Sequence, residues 1–166
     1  MIKKIIAAVL GVWLCFILQS TVFSGIKLGN TVPNLLIILT ACFGFMEGEI
    51  FGLLVGFSCG ALMDVFFSSF NGFYALIFMY LGYLNGKFRN IFYPEDIKLP
   101  LGLIICSDVA YGLSCYVFLF LLRGRFDFGF YAGHVIVPEV IATVILSLLA
   151  YPIILKVHKA VQPQLH

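Results

Sequence analysis

The sequence predicts an all-α integral membrane protein of six transmembrane helices, and three of its features predict it. Of 166 residues, 62% are hydrophobic and 11% charged, against about 45–50% apolar and about 25% charged in a soluble domain. Mean hydropathy is +1.09. Charges and turn residues cut the chain into six apolar blocks. A membrane helix needs about 17–25 residues, so six spans nearly exhaust the length and residues 1–166 form a single transmembrane domain. The same arithmetic excludes a cytosolic globule and a disordered chain. A net charge of +2 leaves no basic footprint for nucleic acid. The lipid bilayer is the solvent this composition needs.

The first block, 5–23, follows Lys3 and Lys4 and imitates a signal peptide. A cleavable signal ends in a small-x-small site before a polar mature chain. Here Ser20-Thr21-Val22-Phe23 continues largely apolar and more spans follow, so a retained helix is expected. The second block, 33–46, opens with Pro33-Asn34, and the third covers 50–67. The fourth covers 72–86, the fifth 99–122 and the sixth 131–155. Blocks two and four are short for a hydrocarbon core of about 30 Å at about 1.5 Å per residue. Five spans with the second block re-entrant is the alternative count.

The positive-inside rule orients the chain. With the N-terminus inside, Lys3, Lys4, Lys87, Arg89, Lys98, Lys156 and Lys159 fall on the inner face. Lys27, Arg123 and Arg125 fall on the outer face. Both termini are therefore expected in the cytoplasm. The inner loop 87–98 mixes bases, acids and the aromatics Phe92 and Tyr93. It reads as an interfacial loop or as a docking surface for a cytoplasmic partner.

Catalytic and metal chemistry find little support. Cys15, Cys42, Cys59, Cys106 and Cys115 all fall inside expected spans, none in a Cys-x-x-Cys arrangement, and His134, His158 and His166 are not spaced to join them. Free cysteine in such surroundings acts as a small apolar residue. His-Glu-x-x-His, phosphate-loop and dinucleotide patterns are all missing. Ser58 and Ser68 lack a dyad partner. The chain is expected to be neither an enzyme nor a cofactor carrier.

The most informative stretch lies in block three, where Gly48, Gly52, Gly56, Gly60 and Asp64 recur every fourth residue. Such positions form one ridge on a helix. Without Cβ atoms another backbone can approach closely, and close packing drives helix association in lipid. The ridge serves either an internal crossing or a second protein. Asp64 lies near the outer end of its span, Asp108 about mid-span in block five, and Glu139 two turns into block six behind Pro138. Acids inside a membrane are costly and suggest function. They read as structural struts, as sites for a partner helix or its basic residue, or as the lining of a substrate or proton pathway. Asp64 has a further option, a lock against Arg123 or Arg125.

The ordered set of Pro33-Asn34, the glycine row ending Gly56-Phe-Ser-Cys-Gly60-Ala-Leu-Met-Asp64, Gly72, and Tyr83 with Gly86 resembles the MreD family of bacterial rod shape-determining membrane proteins. The resemblance covers residues 33–86 by motif and the rest by hydropathy and order. It implies a subunit of the cell-wall elongation machinery in the cytoplasmic membrane. Its implied neighbours are MreC, a SEDS-class polymerase and a class B penicillin-binding protein. It also implies a fold like the substrate-binding subunits of energy-coupling-factor transporters, and it implies no cofactor or catalytic residue. Pro33, Asn34, Gly52, Gly56, Gly60, Asp64 and Gly72 become the expected packing or partner positions. A non-enzymatic scaffold that docks the MreC transmembrane helix is the leading expectation. A small-molecule binding or transport subunit, built on Asp64, Asp108 and Glu139, is the alternative.

Overall fold

The computed structural model describes residues 2–23, 32–67, 72–91, 97–119 and 128–161. Every regular element among them is helical. Helix α1 (Ile2–Ile17) continues as a π-helical segment, Leu18–Phe23. Helices α2 (Leu35–Glu47), α3 (Glu49–Phe67) and α4 (Phe73–Lys87) follow, with a 3-10 turn, Phe88–Ile91, after α4. Then come α5 (Lys98–Leu119) and one long run made of α6 (Phe128–Tyr131), a π-helical Ala132–Ile136 and α7 (Val137–Val161). Pro138 lacks the N–H that would bond the carbonyl one turn back, and its ring crowds that carbonyl. A widened turn placed just before it relieves both effects.

Among the described residues four stretches are long and apolar enough to cross a membrane: Ile2–Val22, Glu49–Phe67, Lys98–Phe118 and Gly129–Ala160. Helix α2 has 13 residues and α4 has 15. These correspond to about 20 and about 22 Å, short of a hydrocarbon core of about 30 Å.

Helix α2 is the centre of the bundle. Every residue from Leu35 to Met46 is buried, as a helix apolar on all sides requires. Its Asn34 end meets α7 through Thr143, and its Glu47 end meets Lys4 of α1 and His158 of α7. So α2 runs as a single helix between the levels of Thr143 and His158 on α7. The start of α1 and the end of α7 lie at the same end. One apolar cluster joins α1, α2, α3, α4 and α5 around Leu36, Leu39, Cys59, Phe78 and Tyr111. A second joins α2 to α5 and α7 around Ile38, Cys42, Ile104 and Tyr151. Ile2, Ile5, Leu10, Trp13, Leu14 and Ile17 of α1 are exposed, an apolar surface suited to lipid.

Candidate functional site

The glycine ridge is buried against α4. A Cβ on Gly52 would overlap the Gly82 carbonyl, on Gly56 the Phe78 carbonyl, and on Gly60 the Tyr74 carbonyl. The contact atoms on α4 thus recur every fourth residue, matching the ridge on α3 in antiparallel register. The fit is mutual, because a Cβ on Gly82 would overlap the Gly52 carbonyl and one on Gly86 the Glu49 backbone. Gly44 of α2 joins them, its Cβ position 2.7 Å from the Gly82 oxygen. Three helices therefore meet backbone to backbone at Gly44, Gly52 and Gly82. With α4 occupying this face, the ridge leaves no room for a partner helix.

Asp64 continues the ridge and ends it. One carboxylate oxygen accepts from the Tyr74 N–H at 3.0 Å and the other from the Ala75 N–H at 2.8 Å. The first N–H groups of a helix have no partner inside the helix. Helix α4 is too short to carry its first turn into water, so a side chain from α3 caps it. The carboxylate also meets the positive end of the helix dipole. Gly72 precedes this turn at φ 98°, a left-handed conformation that favours glycine. Arg123 and Arg125, the other suggested partners of Asp64, lie outside the described residues. So do Lys27, Ser68, Phe92, Tyr93 and His166.

The start of α2 is closed in the same way. The Asn34 side chain accepts from the Ile37 N–H at 3.3 Å, an N-cap, and Gln19 Oε1 of the π-helical segment accepts from the Leu36 N–H at 3.2 Å. The Asn34 N–H donates to Thr143 Oγ1 at 3.2 Å. Pro33 is fully buried beside it.

Asp108 and Glu139 come together, away from Asp64. They lie within electrostatic reach of each other, with the Asn34 side chain on Glu139 and the Thr143 hydroxyl facing Asp108. Asp108 is 2% exposed, and neither of its oxygens has a hydrogen bond of acceptable geometry. Asp64, also buried, has both of its oxygens satisfied. Of the residues singled out by sequence, Asn34, Asp108 and Glu139 therefore form one group. Gly52, Gly56, Gly60, Asp64 and Gly72 form another around α4.

Sequence reasoning passed over the third polar centre. Glu47 accepts from Lys4 Nζ at 2.8 Å and lies 3.1 Å from His158 Nδ1, which ties α1, α2 and α7 at the end of the bundle where α1 starts. Glu47 stands just beyond the apolar block 33–46. Burial pushes its carboxyl up, but hydrogen bonds and charge from His158 and Lys4 outweigh that and hold it at about 2. The signal was present: Lys4, Glu47 and His158 all border apolar blocks on the inner side. Gly82 and Gly86 were equally visible as a four-residue glycine spacing opposite the first. Asn85, which donates to Ser107 Oγ of α5 at 2.8 Å, had no such signal.

Among the described residues no group of three His, Cys, Asp or Glu side chains is placed to hold a metal ion, and the five cysteines form no disulfide. A protein-family profile described as rod shape-determining protein MreD matches residues 2–161. The chain belongs to this family, a family of membrane proteins that determine rod shape. Comparison with curated proteins and with solved structures returns no match. The expected likeness to energy-coupling-factor subunits therefore finds no support there.

Proposed function

We propose, taking membership of the MreD family as the premise, that this chain is a non-enzymatic scaffold of the bacterial cell-wall elongation machinery. It crosses the cytoplasmic membrane six times with both termini inside. It supports lateral peptidoglycan synthesis by holding the transmembrane helix of MreC near a SEDS-class polymerase and a class B penicillin-binding protein. The observation that carries this reading is the division of labour among its helices. The ridge on α3 is spent on α4 and makes a rigid centre, while α1 stands at the edge with its long apolar face outward.

Docking then falls beside α1. A groove between α1, α2 and α7 is lined entirely by apolar side chains, among them the small residues Ala7, Gly11, Cys15 and Ala150. Small residues allow the close backbone approach on which helix pairing in lipid depends. A Cβ at Gly11 would meet Leu39 only at ordinary van der Waals distance, so Gly11→Ala should be tolerated by the fold. The test is co-purification of MreC with Ala150→Phe, which fills the groove from its outer wall. Loss of MreC with normal membrane insertion is the expected result. Retention of MreC would move the docking surface elsewhere.

The second reading, a small-molecule binding or transport subunit, is favoured by one observation: Asp108 and Glu139 meet between helices with no basic residue beside them among the described residues.

A further inference from the structure

Helices α1 and α3 start at the same end of the bundle, since Lys4 of α1 reaches Glu47 and α3 begins two residues later. At their far ends they touch. The Phe16 ring of α1 meets Phe66 and Phe67 of α3, with centroids 5.1 and 6.0 Å away. Before that contact the two helices enclose a cleft of about 470 Å³. Ala8, Val12 and Val55, all buried, form its floor, and Val9 and Trp13 stand exposed on its rim. The space exists because Ala8, Ser58 and Ala61 face it with small side chains. The Ser58 hydroxyl donates to the Leu54 carbonyl at 2.9 Å, so it asks nothing of an occupant.

The cleft follows α3 from Phe51 to Val65, about 21 Å at about 1.5 Å per residue. The hydrocarbon of one leaflet is about 15 Å deep, half of a core of about 30 Å. An acyl chain that enters at the near end is therefore accommodated over the full depth of its leaflet.

At that near end the cleft opens into a polar recess of about 420 Å³, and Phe51 and Leu54 line both spaces. Glu47, Gly48, Glu49 and Arg89 form the polar wall of the recess. Glu47 is already met by Lys4 and His158. Gly48 lets the Arg89 side chain lie against the chain, because a Cβ there would stand 3.1 Å from Cδ and 3.2 Å from Nη1. Arg89 and Glu49 are exposed, and among the described residues neither takes part in an ion pair. Lys4 and Arg89 balance Glu47 and Glu49 in charge. Such a recess suits a group that bears both signs better than a simple anion.

An apolar slot continuous with a recess of both charges has the outline of a phospholipid. A guanidinium takes a phosphate through paired hydrogen bonds, and a carboxylate takes an ammonium. A partner's transmembrane helix would have to continue past the cleft at both ends. A lipid chain can stop inside it, where Phe16 closes the way.

We propose that α1, α3 and the α2–α3 junction form a binding site for one phosphatidylethanolamine from the leaflet at the end where α1 starts. Its acyl chain fills the cleft, Arg89 holds its phosphate and Glu49 its ammonium. The site uses a different face of α1 from the groove beside Gly11, so this assignment and the docking of MreC can fail separately.

The test uses the full chain, delipidated in mild detergent. Bound lipid is counted by native mass spectrometry, and the Tm is followed as phospholipid is added. Phosphatidylethanolamine should bind saturably as one molecule and raise the Tm to a plateau. Phosphatidylglycerol with the same acyl chains, which lacks the ammonium, should bind at least tenfold more weakly. Glu49→Gln should remove that preference, and Arg89→Gln should weaken both lipids at least tenfold. Ser58→Trp, which fills the cleft, should abolish saturable binding. All three side chains are exposed, so these variants are expected to fold. The proposal is overturned if no saturable adduct forms, if the parent binds both lipids equally, or if the preference survives Glu49→Gln. Binding by Ser58→Trp like that of the parent also overturns it. Should that variant fail to fold, unchanged binding in Arg89→Gln overturns it instead. Loss of MreC from Ser58→Trp with the lipid adduct intact would give the cleft to a partner helix and overturn the proposal as well.

Discussion

The α3–α4 pair and the α5–α7 pair bury an aspartate each and treat it oppositely. Asp64 gives both oxygens to the first turn of α4 and completes a crossing in which backbones touch along Gly52, Gly56 and Gly60. Asp108 is still less exposed, yet its oxygens meet no donor in good geometry, and the Thr143 hydroxyl and a second acid, Glu139, stand within reach of it. The difference teaches that burial of an acid in this protein is not one phenomenon. A carboxylate that closes a helix end is a structural part. One left open beside another carboxylate has a cost in stability that the fold does not recover.

The largest effect is expected at the crossing itself. Gly56→Leu places a side chain where the Phe78 carbonyl stands, and no rotamer avoids the clash because the Cβ already makes it. Purification in mild detergent should give little or no monodisperse protein. Recovery of a stable variant would mean that α3 and α4 can part without loss of the fold.

Asp64→Leu comes next. It leaves two buried N–H groups of α4 unpartnered, each worth about 1–3 kcal/mol. Thermal unfolding should show a large fall in Tm, and Asp64→Asn, which keeps one acceptor oxygen, a smaller one. Equal effects of Asn and Leu would break the capping account.

At the end of the bundle where α1 starts, Glu47→Gln should lower the Tm at neutral pH by loosening α1 and α7 from α2. The folded carboxyl sits near 2 against an ordinary 4.5. A depressed folded value means that the stabilisation is present above about 4.5 and is lost as pH falls toward 2. The Tm difference between parent and variant should therefore shrink across that window. A difference independent of pH would show that packing, rather than charge, joins the three helices.

The smallest effect, and the one that most sharpens the contrast, is Asp108→Asn. Because the carboxyl makes no well-formed hydrogen bond, its replacement should leave stability unchanged or raise it by up to about 1 kcal/mol, the scale of a single hydrogen bond, read as an equal or higher Tm. A fall as large as that of Asp64→Leu would make the two aspartates structurally equivalent.

Much of this arrangement was legible in the residues. Each of the six apolar blocks carries a helix among the described residues, because charges and turn residues interrupt a helix pattern wherever the chain must leave the apolar layer. Gly52, Gly56, Gly60 and Asp64 stood out because a four-residue period leaves one face of a helix bare. What that face meets was not legible. The answer depends on Gly82 and Gly86 arriving in antiparallel register from the next helix, and on Gly44 closing the junction from α2. The place of α2 was also hidden. A short block reads as weak for a membrane span, yet it is short because it lies enclosed, its first N–H groups taken by Asn34 and Gln19 instead of water.

The sequence by itself determined that this is a helical membrane protein, since hydropathy is local; the helix ends followed it less closely, the last helical run covering 128–161 against an expected 131–155. Its ordered motifs, confined to residues 33–86, also pointed to the family. Only the tertiary structure decided what each polar group does. Asp64 and Asp108 look alike in sequence, two acids inside apolar segments. One became a cap and the other part of an open cluster because packing, not composition, selects which donors, acids and rings stand within reach of a carboxylate.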